Sequence, residues 1–436
     1  MSKARLAGAA LLLTVACSSG GDSGTPPSND PPTVAFSTAA LVVPKAQAVD
    51  LTVSASDPDG DPLTITWEIT RGVLVPQNSG KTVMRWTPPA SVGVDTVSIR
   101  VTDGSFTRTT SAVIKVGTLF TLPNAPGTFF EANSPYILQP SDTDPVVTVP
   151  GGGGTTVIEA GVEIYMDTPA SYISVFGDLE AHGTADHPII IRPNDRTLSC
   201  AGNDRGWWEG IRAATDDASS SGFVDFEYVE IWFAQTGVRL NDGANALVRD
   251  CKFRCSGDAG ILVEGNGSLC AFDSQITDGL TDGIAIAAFT SLPDSVRIEG
   301  CRLAFNGNAG IRMDLNDTFQ QVPITVEYND IEFNDSHGIA LAHSVFPSIH
   351  FNAFRGNGDT SVSNLFLTSG YPDPVSQPTL DATCNFWGSA AASQATIDAS
   401  IRDSLDTSTV HSRVLSCPWL NASPITTTPN CTMACP

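Results

Sequence analysis

The chain has 436 residues, enough for two or three domains, and carries a formal charge of −24 with only 16% charged residues. That charge argues against nucleic acid as a partner, because phosphates need a Lys/Arg surface. With 38 glycines, 29 prolines and no long amphipathic runs, the composition points away from an α/β fold and toward an all-β, turn-rich protein.

The opening stretch "MSKARLAGAALLLTVAC" pairs positive charge with an apolar run. The run is too short to span a bilayer but suits a signal h-region. The small residues before Cys17 resemble a bacterial lipoprotein processing site, with Thr14 where that family usually has Leu. The resemblance implies a signal peptide over 1–17, a lipidated Cys17 and a flexible tether over 18–30. Ser18 then directs the protein to the outer membrane or cell surface, and the lipid is its only membrane contact. An ordinary cleaved signal peptide and secretion is the alternative. Export permits disulfides. Of ten cysteines, nine remain once Cys17 is set aside, an odd number that leaves at least one without a partner in the chain. Cys251/Cys255 and Cys431/Cys435 share a C-x3-C spacing, the second a candidate terminal disulfide.

Residues 31–116 read as short alternating strands around Asp/Pro/Gly turns. The pattern S-A-S-D-P-D-G-D-P-L…W…W-T-P-P…V-T-D-G resembles the bacterial PKD and cadherin-like immunoglobulin modules. The resemblance implies a β-sandwich with Trp67 as its core tryptophan. Asp57, Asp59 and Asp61 offer oxygen ligands for Ca²⁺. The competing explanation is a turn that favours Asp and Gly for backbone reasons. Residues 117–150 read as a linker ending in "GGGG".

Beyond it the chain repeats. "TGVRL", "AGILV", "DGIAI", "AGIRM" and "HGIAL" place Gly237, Gly260, Gly283, Gly310 and Gly338 at spacings of 23, 23, 27 and 28 residues. Nine residues before the last four glycines stand Cys251, Ser274, Cys301 and Asn329, and Asn352 opens a further copy. Phe253, Ile276, Leu303, Ile331 and Phe354 lie at plus two; Ser256, Gly279, Asn306, Asn334 and Asn357 lie at plus five. Short apolar strands between Gly/Asn turns suit one coil of a parallel β-solenoid. The pattern resembles the right-handed parallel β-helix repeat family of exported bacterial proteins. With entry and exit segments of the same character, the solenoid is expected over 151–420, followed by a tail over 421–436.

Stacked coils sort these positions. The small residues at the marker share the inward parity of plus two and are expected to hydrogen-bond to turn backbone. Cys301 is therefore core rather than nucleophile, since no His or Lys shares its stripe. The asparagines at plus five are expected in left-handed turn positions. At minus one stand Asp250, Asp273, Gly300, Tyr328 and Phe351, so Asp250 and Asp273 should lie side by side with like charge. They are the candidate catalytic or cation-binding pair, set against two solvated acids splayed apart. Arg302 on Asp330 and Glu332 on Arg355 are expected cross-coil ion pairs. The other outward column, Arg239, Leu262, Ala285, Arg312 and Ala340, is small and weakly charged, as if covered by a loop or a ligand.

β-Helices of exported proteins resemble polysaccharide lyases, galacturonan hydrolases and non-catalytic surface proteins, and fold does not choose among them. The N-T-D, paired D-D, G-H-G and R-I-K segments of a galacturonan hydrolase are missing; the only "DD" is Asp216-Asp217. A lyase needs a base beside calcium carboxylates, for which Asp250/Asp273 with Lys252 or Arg254 would be the parts. The six histidines form no constellation. These observations favour a non-enzymatic surface lipoprotein with a face for polysaccharide or a cell-surface protein, and no cofactor other than Ca²⁺. A lyase or hydrolase, or an adhesive role, is the alternative.

Overall fold

Alternation in an extended chain sends successive side chains to opposite faces. Leu51 and Val53 of strand Val49–Ser56, Met84 and Trp86 of Val83–Thr87, and Val97, Ile99 and Val101 of Gly93–Thr102 are buried by this rule. Two sheets close over them in the computed structural model. One orders Thr33–Phe36, Val49–Ser56, Val83–Thr87 and Val73–Pro76, all antiparallel. The other orders Thr64–Ile69, Gly93–Thr102 and Thr107–Phe120, with Val42–Pro44 added in parallel. The core tryptophan is Trp86, which corrects the expectation for Trp67. Trp86 lies on a central strand, is fully buried and donates its Nε1–H to the Arg71 carbonyl at 3.0 Å. Trp67 shares the inward parity, but Thr64–Ile69 is an edge strand, so the ring packs only at the rim.

The structure describes residues 29–424 except 122–123, 126, 140–145, 216–220, 242, 289–292, 294, 316–323, 343–346, 359–363, 368–378, 389–392, 404–412, 418 and 421–422. Thr14, Cys17, Ser18, Asp216, Asp217, His343, His411, Cys431 and Cys435 lie outside the described residues, as do the signal segment and nearly all of the tether and tail.

The described residues of 117–150, the stretch expected to be a linker, belong to the first coil of the solenoid. Strand Thr107–Phe120 leaves the sandwich unbroken, and its last residues pair in parallel with Tyr136–Leu138, which pairs in turn with Glu163–Met166. One sheet thus runs from sandwich to solenoid. The linker expectation failed because this coil carries none of the repeat's marker residues. The joint is dressed with side chains. Asn194 Oδ1 accepts from the amides of Leu41 and Val42 at 3.0 and 2.8 Å, and its Nδ2 donates back to the Val42 carbonyl at 2.9 Å. Lys115 donates to Glu163 Oε1 at 2.6 Å.

From there three parallel sheets wind around one core. A short-strand sheet holds Lys252–Arg254, Gln275–Thr277, Arg302–Ala304, Asp330–Glu332 and Ala353–Arg355 in consecutive coils. A long-strand sheet holds Ala259–Glu264, Asp282–Ala288, Ala309–Leu315 and His337–Ala342. A third sheet holds Asn245–Arg249, Ser268–Phe272, Val296–Glu299 and Ile324–Glu327. The plus-two column pairs as the repeat predicts, Phe253 on Ile276 on Leu303 on Ile331 on Phe354, all buried. Insertions of a few residues per coil lie after the long-strand sheet and leave this register intact. At the far end Trp387 stacks on Phe354 at 4.9 Å and joins the core with Ile397 and Trp419.

Candidate functional site

The short-strand sheet is bounded by two corners, and each corner is one residue in left-handed backbone. Before it stand Tyr228, Asp250, Asp273, Gly300, Tyr328, Phe351 and Cys384, with φ between 49° and 67°. After it stand Phe233, Cys255, Asp278, Phe305, Phe333 and Gly356, with φ between 53° and 61°. Such a conformation is costly for Asp, Tyr or Phe and persists only where the surroundings over-determine it. Here the residue after each corner supplies the restraint. Cys251 N–H donates to Ser274 Oγ at 3.0 Å, Cys301 N–H to Asn329 Oδ1 at 2.9 Å, and Asn329 N–H to Asn352 Oδ1 at 3.0 Å. Asn352 N–H reaches Asn385 Oδ1 at 2.8 Å, a rung the repeat count missed although "CNF" echoes "FNA". A parallel ladder links Gly279, Asn306, Asn334 and Asn357 at the other corner. The plus-five asparagines are therefore buried ladder residues, and the left-handed residue is the one before each; this corrects their expected turn role. Carbonyl partners such as Ile298 and Leu303 take the remaining amide protons.

Cys251 and Cys301 behave as the expected core members of the first ladder. Burial pushes both thiols up to about 12, so neither is a thiolate at neutral pH. Cys255, by contrast, bonds to Cys200, and Cys384 and Cys417 are also disulfide-bonded.

Asp250 and Asp273 occupy adjacent turns of the first corner, as expected, and line a cleft of about 200 Å³ with Tyr228, Glu230, Lys252, Gln275 and Pro188. Burial, then the charges of Asp273 and Glu227, hold the Asp250 carboxyl above its usual value. Gly300 leaves room beside them: a Cβ there would meet Asp273 Oδ1 at 2.2 Å and push that carboxylate aside. The proposed bases are both committed. Lys252 Nζ donates to Glu230 Oε1 at 2.6 Å, and Arg254 pairs with Asp278 at 3.0 Å while stacking over Trp232.

Further along the same face, Arg302 stands opposite Asp330 in register but pairs with Glu332 at 2.7 Å. Arg355 takes Asp330 at 2.7 Å and Glu332 at 3.4 Å. The Glu332–Arg355 pair lies in register as expected, while Arg302 to Glu332 and Arg355 to Asp330 run diagonally because an arginine reaches past its own rung. Burial still raises the Asp330 carboxyl, against the opposing pull of Arg355. Beside these pairs the exposed rings of Phe305 and Phe333 stack at 5.5 Å, and Tyr328 stacks on Phe351 at 5.1 Å.

The acidic turn of the sandwich brings Asp57, Asp59 and Asp61 together through backbone. Asp57 Oδ1 accepts from the amides of Asp59 and Asp61 at 2.9 and 3.1 Å, the work of a turn-forming aspartate. Among the described residues no three His, Cys, Asp or Glu side chains converge as a metal site. The histidines are dispersed too: His182 faces Asp225 at 3.2 Å, and His350 contacts the Thr383 carbonyl at 2.9 Å.

Comparison with known families agrees with this architecture. Residues 206–369 match the family described as right handed beta helix region, and residues 29–116 match the bacterial Ig domain. The chain joins a bacterial Ig domain to a right-handed β-helix region. No curated protein and no solved structure matches the chain. The Ig domain and β-helix together fit an extracellular or surface protein. Among the described residues no helix is long and apolar enough to cross a membrane.

Proposed function

We propose that the protein is a non-enzymatic cell-surface lipoprotein, anchored through Cys17, whose β-helix binds polysaccharide along its outward faces. The observation that carries this reading is the pairing of Lys252 with Glu230 and of Arg254 with Asp278 beside the acidic pair Asp250/Asp273. Each cation is thus engaged by a carboxylate of its own sheet, whereas a lyase needs a base directed at the sugar carbon beside its carboxylate. The alternative use, two carboxylates hydrolysing a glycosidic bond, would need one acid and one base flanking a bound sugar. Asp250 and Asp273 instead rise from equivalent places in successive coils, from one corner of the same small cleft rather than from its two sides. The exposed Phe305 and Phe333 rings give the same face apolar surface of the kind that sugar rings cover.

Incubation with acidic polysaccharides, with and without Ca²⁺, should release no unsaturated or reducing ends, while a glycan array should retain the protein. Turnover abolished by Asp250→Asn or Asp273→Asn would establish the enzyme instead. Labelling with a radioactive fatty acid, lost in Cys17→Ala, tests the anchor.

A further inference from the structure

Strand Thr107–Phe120 carries the chain from the Ig domain into the solenoid, pairing with Gly93–Thr102 on one side of the joint and with Tyr136–Leu138 on the other. One crossing strand fixes a point of attachment but leaves the domains free to bend and twist about it. A second tie reaches the sandwich elsewhere. Residues 194–207 connect solenoid strands Ile189–Pro193 and Trp208–Ala213. Within them Arg196 donates its backbone N–H to the Ala39 carbonyl at 2.9 Å. Its Nη2 donates to the carbonyls of Ala40 at 2.8 Å and Val113 at 3.3 Å, and the guanidinium lies 5.4 Å from the centre of the Phe36 ring.

The other end of this segment is pinned away from that anchor. Cys200 is disulfide-bonded to Cys255, 55 residues further along the chain, and Cys255 is fully buried in its corner. Ile189–Pro193 pairs with Val229–Trp232, and that strand pairs with Lys252–Arg254. The pin therefore holds two rungs, about 10 Å along the axis, beyond the strand that the segment leaves. Beside it the Gly206 amide donates to the Cys255 carbonyl at 3.3 Å, and a Cβ on Gly206 would meet the Gly257 Cα at 2.9 Å. Local turns stiffen the stretch between the two ends. Asp195 Oδ1 accepts from the Thr197 amide at 2.7 Å, and Asp204 Oδ2 accepts from the Ser199 amide at 3.0 Å.

We propose that residues 194–207 are a strap, pinned by the Cys200–Cys255 disulfide, that locks the Ig domain against the solenoid so that the two move as one body. Two attachments separated in space remove the bending and twisting that one attachment leaves. The covalent pin keeps Arg196 at high effective concentration beside its acceptors, so contacts made by a single guanidinium persist. The Ig domain is then a rigid extension of the solenoid, and it becomes a hinged one when either end of the strap is cut.

Hydrogen exchange of the full chain, read by mass spectrometry, tests the strap. Cys200→Ser/Cys255→Ser removes the pin, and Arg196→Gln removes the sandwich anchor with the disulfide intact. The amides to follow are those of Leu41 and Val42, which donate to Asn194 Oδ1 across the joint, and that of residue 196. In each variant they should exchange at least about tenfold faster, while Gly93–Thr102 in the sandwich and Asp282–Ala288 in the solenoid keep wild-type protection. Small-angle scattering should show a wider spread of domain separations in the same variants. Wild-type protection of the joint amides in either variant would overturn the strap, and Arg196→Gln decides if the cysteine variant fails to fold. Faster exchange spread evenly through both cores would overturn it as well, since the disulfide would then be a general staple rather than a hold on the joint.

Discussion

The sandwich gathers its strands around one centre, whereas the solenoid repeats a small centre coil after coil. In the Ig domain Trp86 is touched from both sheets, and antiparallel pairing between distant strands sets the register. In the β-helix every inward column is met again one coil later, and register is set by side-chain ladders at the corners. Damage to the first should be global to that domain, and damage to the second should be graded by what the neighbouring rungs can supply.

Trp86→Ala should break the sandwich most severely, costing about 3–5 kcal/mol for loss of a buried ring and its cavity. Urea melts followed by near-ultraviolet circular dichroism would show an early transition for the Ig domain with the solenoid's transition largely retained. Asn329→Ala should cost about 2–3 kcal/mol, because the Cys301 amide and the Ile298 carbonyl lose their partner together. Asn329→Ser should cost less, since Ser274 already fills that slot one rung away. Equal losses for the two variants would contradict the ladder account.

The buried thiols sharpen the contrast at alkaline pH. Cys251 and Cys301 keep their protons in the native state up to about 12, while an unfolded chain releases them near the ordinary value of 9.0. The native state then binds more protons across that window, so stability should be full below about pH 9 and fall as pH rises through it. In Cys251→Ser/Cys301→Ser the slope of stability on pH over that range should flatten. The smallest effect is expected at the first corner. The raised Asp250 carboxyl means that ionisation disfavours the fold: stability is present below its ordinary value of 3.8 and lost above it. Asp250→Asn should therefore raise stability at neutral pH, by less than about 1 kcal/mol for a charge partly in solvent, and the gain, followed by urea melts, should vanish in acid.

Much of the solenoid was legible because its signal is periodic. The inward parity of Cys251, Ser274, Cys301, Asn329 and Asn352, and the apolar column two residues on, follow from counting alone. The corners were not legible, since left-handed backbone is usually announced by Gly or Asn and here falls on Asp250, Tyr328, Phe305 and Phe333. Trp86 and Trp67 share inward parity, and only strand order separates centre from rim. The first coil was hidden because Phe129, Tyr136 and Val149 bury themselves without any repeat marker. Of the candidate site, the adjacency of Asp250 and Asp273 could be read from spacing. Their neutralised neighbours could not, because Glu230 and Asp278 reach Lys252 and Arg254 through side-chain geometry.

The central claim, that the β-helix holds a polysaccharide without cleaving it, is tested most directly by size-exclusion chromatography with light scattering. The full chain would be mixed with polygalacturonate and sampled over hours. The account predicts that the protein co-elutes with the polymer and that the polymer's mass stays constant throughout. A polymer that shortens, with the shortening abolished in Asp250→Asn/Asp273→Asn, would contradict it, as would a protein that elutes at its own position.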